Sequence, residues 1–360
     1  MIFNYLTLYC AWKKESKGKR YMPNQEQYRY NLEDNLYLLA KKLNDGVFVP
    51  SPLRIKNIYY PKRRRAQVPS QEDKIVQHAI CDHVIYYPMV KPLIDGASAN
   101  TKGRGTDYGI KRLRNDLRSF WFRHNKVPYI LKGDVKNYFG SIPIDKAIEL
   151  AEKRIEDKEI LDIVVKFIKL TNEGLPLGLQ QSQLLSNLYL SDFDHRIKEE
   201  WRMKYYGRHM DDFYILSEDK KKLEDILAWS ETYLESMGLK LNPKTCICYR
   251  QFDYLGFHFV VSDTGKIITR LSKAKLKSKR RHLKKMVEQL KNGEITSERM
   301  ESAYFGWRQH ASKAKNGRTQ ILNMDKYLDG LLNEIGYRLK VYKYPKGKVR
   351  WRVAVTQKGD

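Results

Sequence analysis

Residues 205–217 read YYGRHMDDFYILS. Two adjacent carboxylates, Asp211 and Asp212, sit between short runs of aromatic and aliphatic residues. Apolar and polar positions alternate with the two-residue period of a strand, so the stretch predicts a β-hairpin carrying both acids at its tip. The apolar flanks tie that tip to a buried sheet. Two like charges so close repel, and a divalent cation relieves the repulsion best. A solvated turn is the plainer reading of an Asp-Asp pair, and the rest of the chain decides between the two.

A chain of 360 residues can bury a sizeable core in two or three subdomains. Lys and Arg number 68 against 42 Asp and Glu, a formal charge of +26. Such an excess points to a polyanionic partner, because Lys and Arg neutralise phosphates and release counterions. Non-catalytic basic proteins share that feature, so charge gives the partner and leaves the chemistry open. The 25 tyrosines suit stacking on bases and ordinary core packing alike. Of the four cysteines, Cys246 and Cys248 lack zinc-ribbon spacing. Both read as core or surface thiols, which fits a reducing cytoplasm. The first twelve residues are apolar but lack a basic start and a cleavage site, and no run approaches membrane-spanning length. The expectation is a soluble cytoplasmic protein with no membrane partner.

No internal repeat or low-complexity linker divides the chain, so its subdomains are interwoven. Residues 13–50 read as helical, with Leu36, Leu38, Leu39 and Leu43 facing inward. A strand over 55–60 leads into Pro61-Lys62-Arg63-Arg64-Arg65 and then Ala66-Gln67-Val68-Pro69. This is a hairpin able to lie over a triphosphate, or a solvated basic loop. Residues 74–90 have helical spacing. Residues 101–106 (TKGRGT) form a glycine-flexed loop carrying Lys102 and Arg104 ahead of a helix over 107–120, and its glycines let backbone amides approach an anion.

Residues 128–142 (PYILKGDVKNYFGSI) run as a strand into Asp134, with Tyr138 and Phe139 behind it. Such a carboxylate can hold a metal while the aromatic walls off a sugar; a turn cap is the alternative. Residues 145–171 predict one long amphipathic helix, with Ile148, Leu150, Ile155, Ile160, Ile163 and Val164 on its buried side. Residues 174–183 (GLPLGLQQSQ) form a loop entering a helix over 184–200, where the polar run Gln180–Gln183 caps the helix or touches a template base. A helix over 219–237 stops at Gly238. Strands follow over 239–242 and 245–249 with Lys244 in the turn, and another over 252–261 before a turn at Asp263-Thr264-Gly265. Residues 273–285 carry eight Lys or Arg in thirteen, while Leu276, Leu283, Met286, Val287 and Leu290 keep a helical apolar face. Without interfacial Trp or Phe, that basic helix suits a nucleic-acid duplex better than a membrane. Residues 298–336 give one or two helices, and 341–355 a basic terminal hairpin.

Three features therefore stand in order: Asp134 after a strand, Gly178-x-x-x-Ser182 before a helix, and Asp211-Asp212 on a hairpin. With the basic loops before them and the basic helix after, they resemble the reverse transcriptases from Lys62 to His310. The resemblance implies an α+β right-hand polymerase fold. Its N-terminal region and fingers would be 1–127, and its palm 128–265, built on an antiparallel sheet with a finger helix over 145–171 inserted. A helical thumb over 266–335 and a basic C-terminal hairpin over 336–360 would complete it. Asp134, Asp211 and Asp212 match the family's metal-binding carboxylates, Val135 lends a backbone carbonyl, and two Mg2+ ions, with Mn2+ able to substitute, would activate the primer 3′-hydroxyl. Lys244 matches the lysine that protonates pyrophosphate. Lys62 and Arg64 match the finger residues on the triphosphate, aided by Lys102 and Arg104, with Gly178 and Gln183 beside the nucleotide. Phe139 matches the gate against a ribose 2′-hydroxyl. Tyr254-Leu255-Gly256 resembles the primer grip, and Lys277, Arg280, Arg281 and Lys284 would follow the duplex. The implied substrates are dNTPs, an RNA template and a DNA or RNA primer.

The chain also departs from the pattern. His209 stands where the acid pair is usually preceded by Tyr, and Thr101 stands where the finger loop carries Arg. Leu177 replaces the leading Gln of the Gly178 loop, and Gln183 replaces its Pro. Those two changes, with VQHAIC (76–81), KGRGT (102–106) and GWRQH (306–310), resemble the reverse transcriptases of diversity-generating retroelements in bacteria and phages. That likeness implies error-prone copying of a structured template-repeat RNA with a small basic helical accessory protein, although Leu177 reads equally as a loop anchor. An antiviral defence reverse transcriptase working with a noncoding RNA shares the Ser-Gln loop. A group II intron maturase is disfavoured for want of further domains, and a retron enzyme for want of Val-Thr-Gly in the thumb. From another class, a catalytically inactive RNA-binding protein could keep the fold, and the presence of all three acids argues against it.

Overall fold

Residues 3–19, 22–60, 64–343 and 351–357 are described by a computed structural model. Helices alternate with four sheets among these residues, an α+β arrangement. The chain divides into two units, residues 1–113 with 130–247 and residues 114–129 with 248–360.

The first unit opens with α1 (Tyr5–Glu15), capped by the Asn4 side chain on the Thr7 N–H. It continues with α2 (Pro23–Tyr30) and α3 (Leu32–Asn44). Residues 13–50 thus contain breaks that the periodicity did not show. Leu36, Leu39 and Leu43 are buried on α3, but Leu38 is 52% exposed. Two positions beyond Leu36, it lies about 200° round the helix, which turns it outward. The hairpin of β1 (Arg54–Ile58) and β2 (Arg64–Val68) pairs Arg54 with Val68 and Ile58 with Arg64, as the sequence predicts. Next, α4 (Gln71–Ile80) starts at a capping box of Ser70 and Asp73 and runs through a π-helical turn into α5 (Tyr86–Val90).

After α6 (Thr106–His124) and β3 (Tyr129–Asp134) come α7 (Tyr138–Ser141), α8 (Ile144–Glu152) and α9 (Lys158–Ile168). The single helix expected over 145–171 is therefore two. Asp157 is extended and its carboxylate accepts the Glu159 and Ile160 N–H groups, so the second helix begins afresh. Likewise, the helix expected over 184–200 starts earlier, as α10 (Gln180–Tyr189), and restarts as α11 (Ser191–Glu199) where Leu190 leaves helical geometry. A four-stranded sheet has the order β4 (Tyr206–His209), β5 (Asp212–Ser217), β3, β6 (Cys246–Tyr249). Between β5 and β6 lies α12 (Lys220–Ser236), which ends at Met237 with Gly238 at φ 81°. Of 239–242, only Leu241 pairs, in an isolated bridge to Val135.

In the second unit, the strand expected over 252–261 is a hairpin. β7 (Gln251–Tyr254) turns at Leu255 (φ 49°) and Gly256 (φ 85°) into β8 (Phe257–Val261), since two consecutive positive φ values reverse the chain in two residues. The predicted Asp263–Gly265 turn then leads to β9 (Ile267–Leu271). Three helices follow: α13 (Lys273–Lys291), α14 (Ser297–Ala311) and α15 (Arg318–Asn333). The apolar stripe of α13 packs with Met300, Tyr304 and Leu328, and the hairpin of β10 (Tyr337–Lys343) and β11 (Trp351–Gln357) adds Val353 and Val355.

Candidate active site

Register fixes the acidic hairpin. Tyr206 pairs with Ile215 and His209 with Asp212, so Met210 and Asp211 make a two-residue tip and Asp212 is the first residue of β5. Met210 takes a positive φ of 58°, as the first position of such a turn demands. Arg208 holds the tip from below. Its Nη1 donates to the Met210 carbonyl at 2.9 Å and to Asn187 Oδ1 at 3.0 Å, while its Nε donates to Asp194 Oδ1 at 2.7 Å. From the side, Ser98 N donates to the Arg208 carbonyl and Arg208 N to the Gly96 carbonyl, so residues 96–98 form a further rail along β4. His209 Nδ1 lies 2.9 Å from Ser98 Oγ. Burial, and then the neighbouring Arg208 charge, push its pKa down, which keeps the ring neutral at pH 7.

Asp134 is brought beside this hairpin by a close approach of two strands. A Cβ on Gly133 would lie 2.0 Å from Cζ of Phe213, so the Phe213 ring occupies the space that any side chain at 133 would need. Asp134 follows Gly133 and Asp212 precedes Phe213, which sets the two acids at neighbouring strand ends. All three acids are half-buried. Asn242 holds Asp134 in turn. Its Nδ2 donates to Asp134 Oδ2 at 2.8 Å, its backbone N–H donates to the Asp134 carbonyl at 2.7 Å, and its Oδ1 accepts the Lys244 N–H at 3.1 Å. The bonds of the Val135–Leu241 bridge flank Val135 and use neither its N–H nor its carbonyl. Lys244 is exposed on the turn just beyond Asn242.

Three carboxylates and a backbone carbonyl are hard oxygen donors by chemical type, a type that suits Mg2+ rather than a thiophilic metal. Among the described residues no three His, Cys, Asp or Glu side chains form a set that could hold an ion as they stand. A cation would have to draw the carboxylates together against their repulsion.

Phe139 stands on α7, its ring T-shaped to that of buried Tyr138 at 6.0 Å. The Leu175 N–H donates to the Phe139 carbonyl at 2.8 Å. Gly174 (φ 67°) touches Phe139 and Gly140 so closely that a Cβ would meet the Phe139 carbonyl oxygen at 2.6 Å. A cavity of 300 Å³ nearby is lined by Lys102, Arg104 and Gln183 together with Lys14, Asp82 and Gln180. Lys102 Nζ lies 4.4 Å from the Tyr86 ring centroid. Arg104 pairs with Asp95 at 3.0 Å and donates to the Ile94 and Ala97 carbonyls. At the start of α10, Gln180 Oε1, both amide atoms of Gln181 and Ser182 Oγ are buried without a hydrogen-bond partner among the described residues.

Lys62 is outside the described residues, and Arg64 is the first residue of β2. In the second unit, Tyr254 is buried, Leu255 and Gly256 form the β7–β8 turn, and Lys277, Arg280, Arg281 and Lys284 are exposed on α13. Arg208, Asp194 and Asn242 also belong to the candidate site, although their sequence context does not single them out. Arg208 alternates with apolar neighbours inside a strand, a signal that its charge needs a buried partner, but nothing local names Asp194.

The profile of the family described as reverse transcriptase (RNA-dependent DNA polymerase) matches residues 56–259. The chain belongs to that family. It is 25% identical over 177 residues to the group II intron-encoded protein LtrA of Lactococcus lactis, covering 45% of this chain and 28% of that protein's length. The retron Ec73 reverse transcriptase of Escherichia coli is 24% identical over 233 residues, covering 60% of this chain and 70% of the retron protein. The chain is thus related to group II intron and retron reverse transcriptases, the two groups its sequence alone disfavoured. Telomerase from Candida albicans, solved with a fragment of telomeric RNA, aligns at 14% identity with a TM-score of 0.48, covering 86% of this chain and 64% of that one. No helix among the described residues is long and apolar enough to cross a membrane.

Proposed function

We propose that this protein is an RNA-directed DNA polymerase in which Asp134, Asp211 and Asp212 converge on the reacting phosphate. The observation that carries the reading is the contact of Phe213 with Gly133, which sets Asp134 and Asp212 at adjoining strand ends. In the reaction the primer 3′-oxygen bonds to the α-phosphorus of a dNTP and the bond to pyrophosphate breaks. Asp134, Asp211, Asp212 and the Val135 carbonyl would hold two magnesium ions, which when bound make the 3′-hydroxyl more acidic and stabilise the leaving pyrophosphate. Asn242 fixes the Lys244 turn to Asp134, so the Lys244 ammonium can give a proton to pyrophosphate. Phe139 meets the sugar and excludes a 2′-hydroxyl. Lys102 and Gln183 face the nucleotide across their shared cavity, and Arg104, engaged by Asp95, shapes the loop that presents Lys102. The exposed bases of α13 neutralise template–primer phosphates, consistent with the charge of +26. On a primed RNA template with dNTPs and Mg2+, the double variant Asp211→Ala, Asp212→Ala should lose synthesis yet keep RNA binding. Synthesis by that variant would overturn the assignment. Phe139→Ala should admit rNTPs, and unchanged sugar selectivity would remove the gate.

The finer reading is an error-prone enzyme of a diversity-generating retroelement, copying a structured template-repeat RNA alongside a small basic accessory protein. It is supported by Leu177, which is 43% exposed and so does not anchor its loop. The loop is held instead through the backbone: Leu177 N donates to Gln67 Oε1 at 2.7 Å, and Gly178 lies against the Gln67 carbonyl. An exposed aliphatic side chain offers no hydrogen bond where Gln would offer one. Leu177→Gln should lower misincorporation opposite template adenine when cDNA products are sequenced. An unchanged error spectrum would remove this reading and leave the polymerase assignment intact.

A further inference from the structure

We propose that the helices α1 and α2 form a second nucleic-acid site, a pocket for an unstacked nucleotide of single-stranded RNA. The pocket precedes the segment matched by the family profile and belongs wholly to the first unit. It is a cavity of 680 Å³, within the range of roughly 300–1,000 Å³ that small ligands occupy. Tyr9, Trp12 and Lys13 line it from one face of α1, at the three- and four-residue spacing that stacks side chains along a helix. Gln25 and Arg29, one turn apart on α2, line it too, and Lys17 does so from the connection beyond α1.

The chemistry of this lining selects the ligand. The Tyr9 and Trp12 rings lie 5.7 Å apart and inclined at 35°, an aromatic wall on which a base can stack. The Trp12 indole N–H is withdrawn from solvent without an acceptor among the described residues. Lys13, Lys17 and Arg29 are exposed, and none pairs with a carboxylate among the described residues. Gln25 is buried and braced, its amide nitrogen donating to Gln71 Oε1 at 2.9 Å and also to Glu15, so the polar floor is rigid before any ligand arrives. An aromatic wall, the unpartnered Trp12 indole N–H and three cations without a carboxylate partner among the described residues suit a base with its flanking phosphates. Three cations exceed what one phosphodiester needs, which favours a strand over a free monophosphate.

The test reads the site directly and does not depend on synthesis, so it stands or falls separately from the polymerase reading. Single-stranded RNA carrying a photoreactive uridine would be crosslinked to the full chain and the adduct mapped by mass spectrometry. The expected adduct falls on the peptide bearing Tyr9 and Trp12. The exposed changes Lys17→Gln and Arg29→Gln together should cut its yield about tenfold, and Trp12→Phe should retain part of it. Competition by unlabelled single-stranded RNA supports a strand site, and equal competition by a nucleoside triphosphate supports the same nucleotide chemistry with a free ligand. Equal competition by inorganic polyphosphate, which has no base to stack, would overturn the proposal. So would adducts confined to other peptides.

Discussion

Arg208 and Asp194 form an ion pair in which neither side chain is exposed to solvent, with Arg208 Nη2 2.5 Å from Asp194 Oδ2. The pair sits beneath the turn bearing Asp211, and Tyr206 donates its hydroxyl proton to the same carboxylate. Removing one partner leaves a charge stranded in the interior. Asp194→Asn is expected to lower stability by about 3–5 kcal/mol, while Arg208→Met combined with Asp194→Leu should cost less than either change alone. Urea denaturation of Asp194→Asn, of Arg208→Met, of Asp194→Leu and of the double variant checks this, and an unchanged midpoint for Asp194→Asn would contradict it.

Gly133→Ala places a methyl group inside the Phe213 ring, so the strands must part or the ring must move. The expected loss is about 1–3 kcal/mol. Pairing it with Phe213→Leu should recover part of that loss, because the two sites share one contact. Additive effects in the double-mutant cycle would mean that the contact does not set the strand spacing.

Asn242→Ala keeps the three acids and the backbone bond to the Asp134 carbonyl but removes the side-chain bonds to the Asp134 carboxylate and the Lys244 N–H. Primer extension should fall by roughly 10–100-fold with little change in melting temperature, the usual effect of losing a group that orients a metal-binding carboxylate. An unchanged rate would show that Asp134 needs no such support.

Lys279 is 3% exposed on α13, its Nζ 5.9 Å from the centroid of each of the stacked Tyr304 and Trp307 rings, and burial pushes its pKa down to about 8. Between pH 8 and the ordinary lysine value of 10.5, the unfolded chain holds this proton and the folded chain does not. Stability therefore rises with pH across that window, by roughly 3 kcal/mol at most. Denaturation of Lys279→Met should lack this rise and show greater stability than the parent at pH 7. A parallel pH dependence in the two proteins would exclude the effect.

The parts of the fold legible in sequence were those with local causes. The acidic hairpin, the stop at Gly238, the turn at Gly265 and the apolar stripe of α13 each follow from periodicity or from a glycine at a positive φ. The breaks at Asp157 and Leu190 escaped because apolar spacing runs across them, and a cap only declares itself once the backbone turns away. Within the candidate site, local pattern points to the three acids, Asp134 and Asp212 at strand ends and Asp211 in the hairpin turn. It does not point to the residues that hold them, since Arg208 depends on Asp194 from a different element and Asp134 on Asn242 more than a hundred positions later.

If Asp134 shares a divalent ion with the acids of the hairpin, Mn2+ binding followed by electron paramagnetic resonance depends on Asp134 and Asp211 alike. Asp134→Asn and Asp211→Asn should each reduce tightly bound Mn2+ in the full chain, and the two changes together should lower it no further than the weaker single variant. Binding by Asp134→Asn equal to that of the parent would contradict the account.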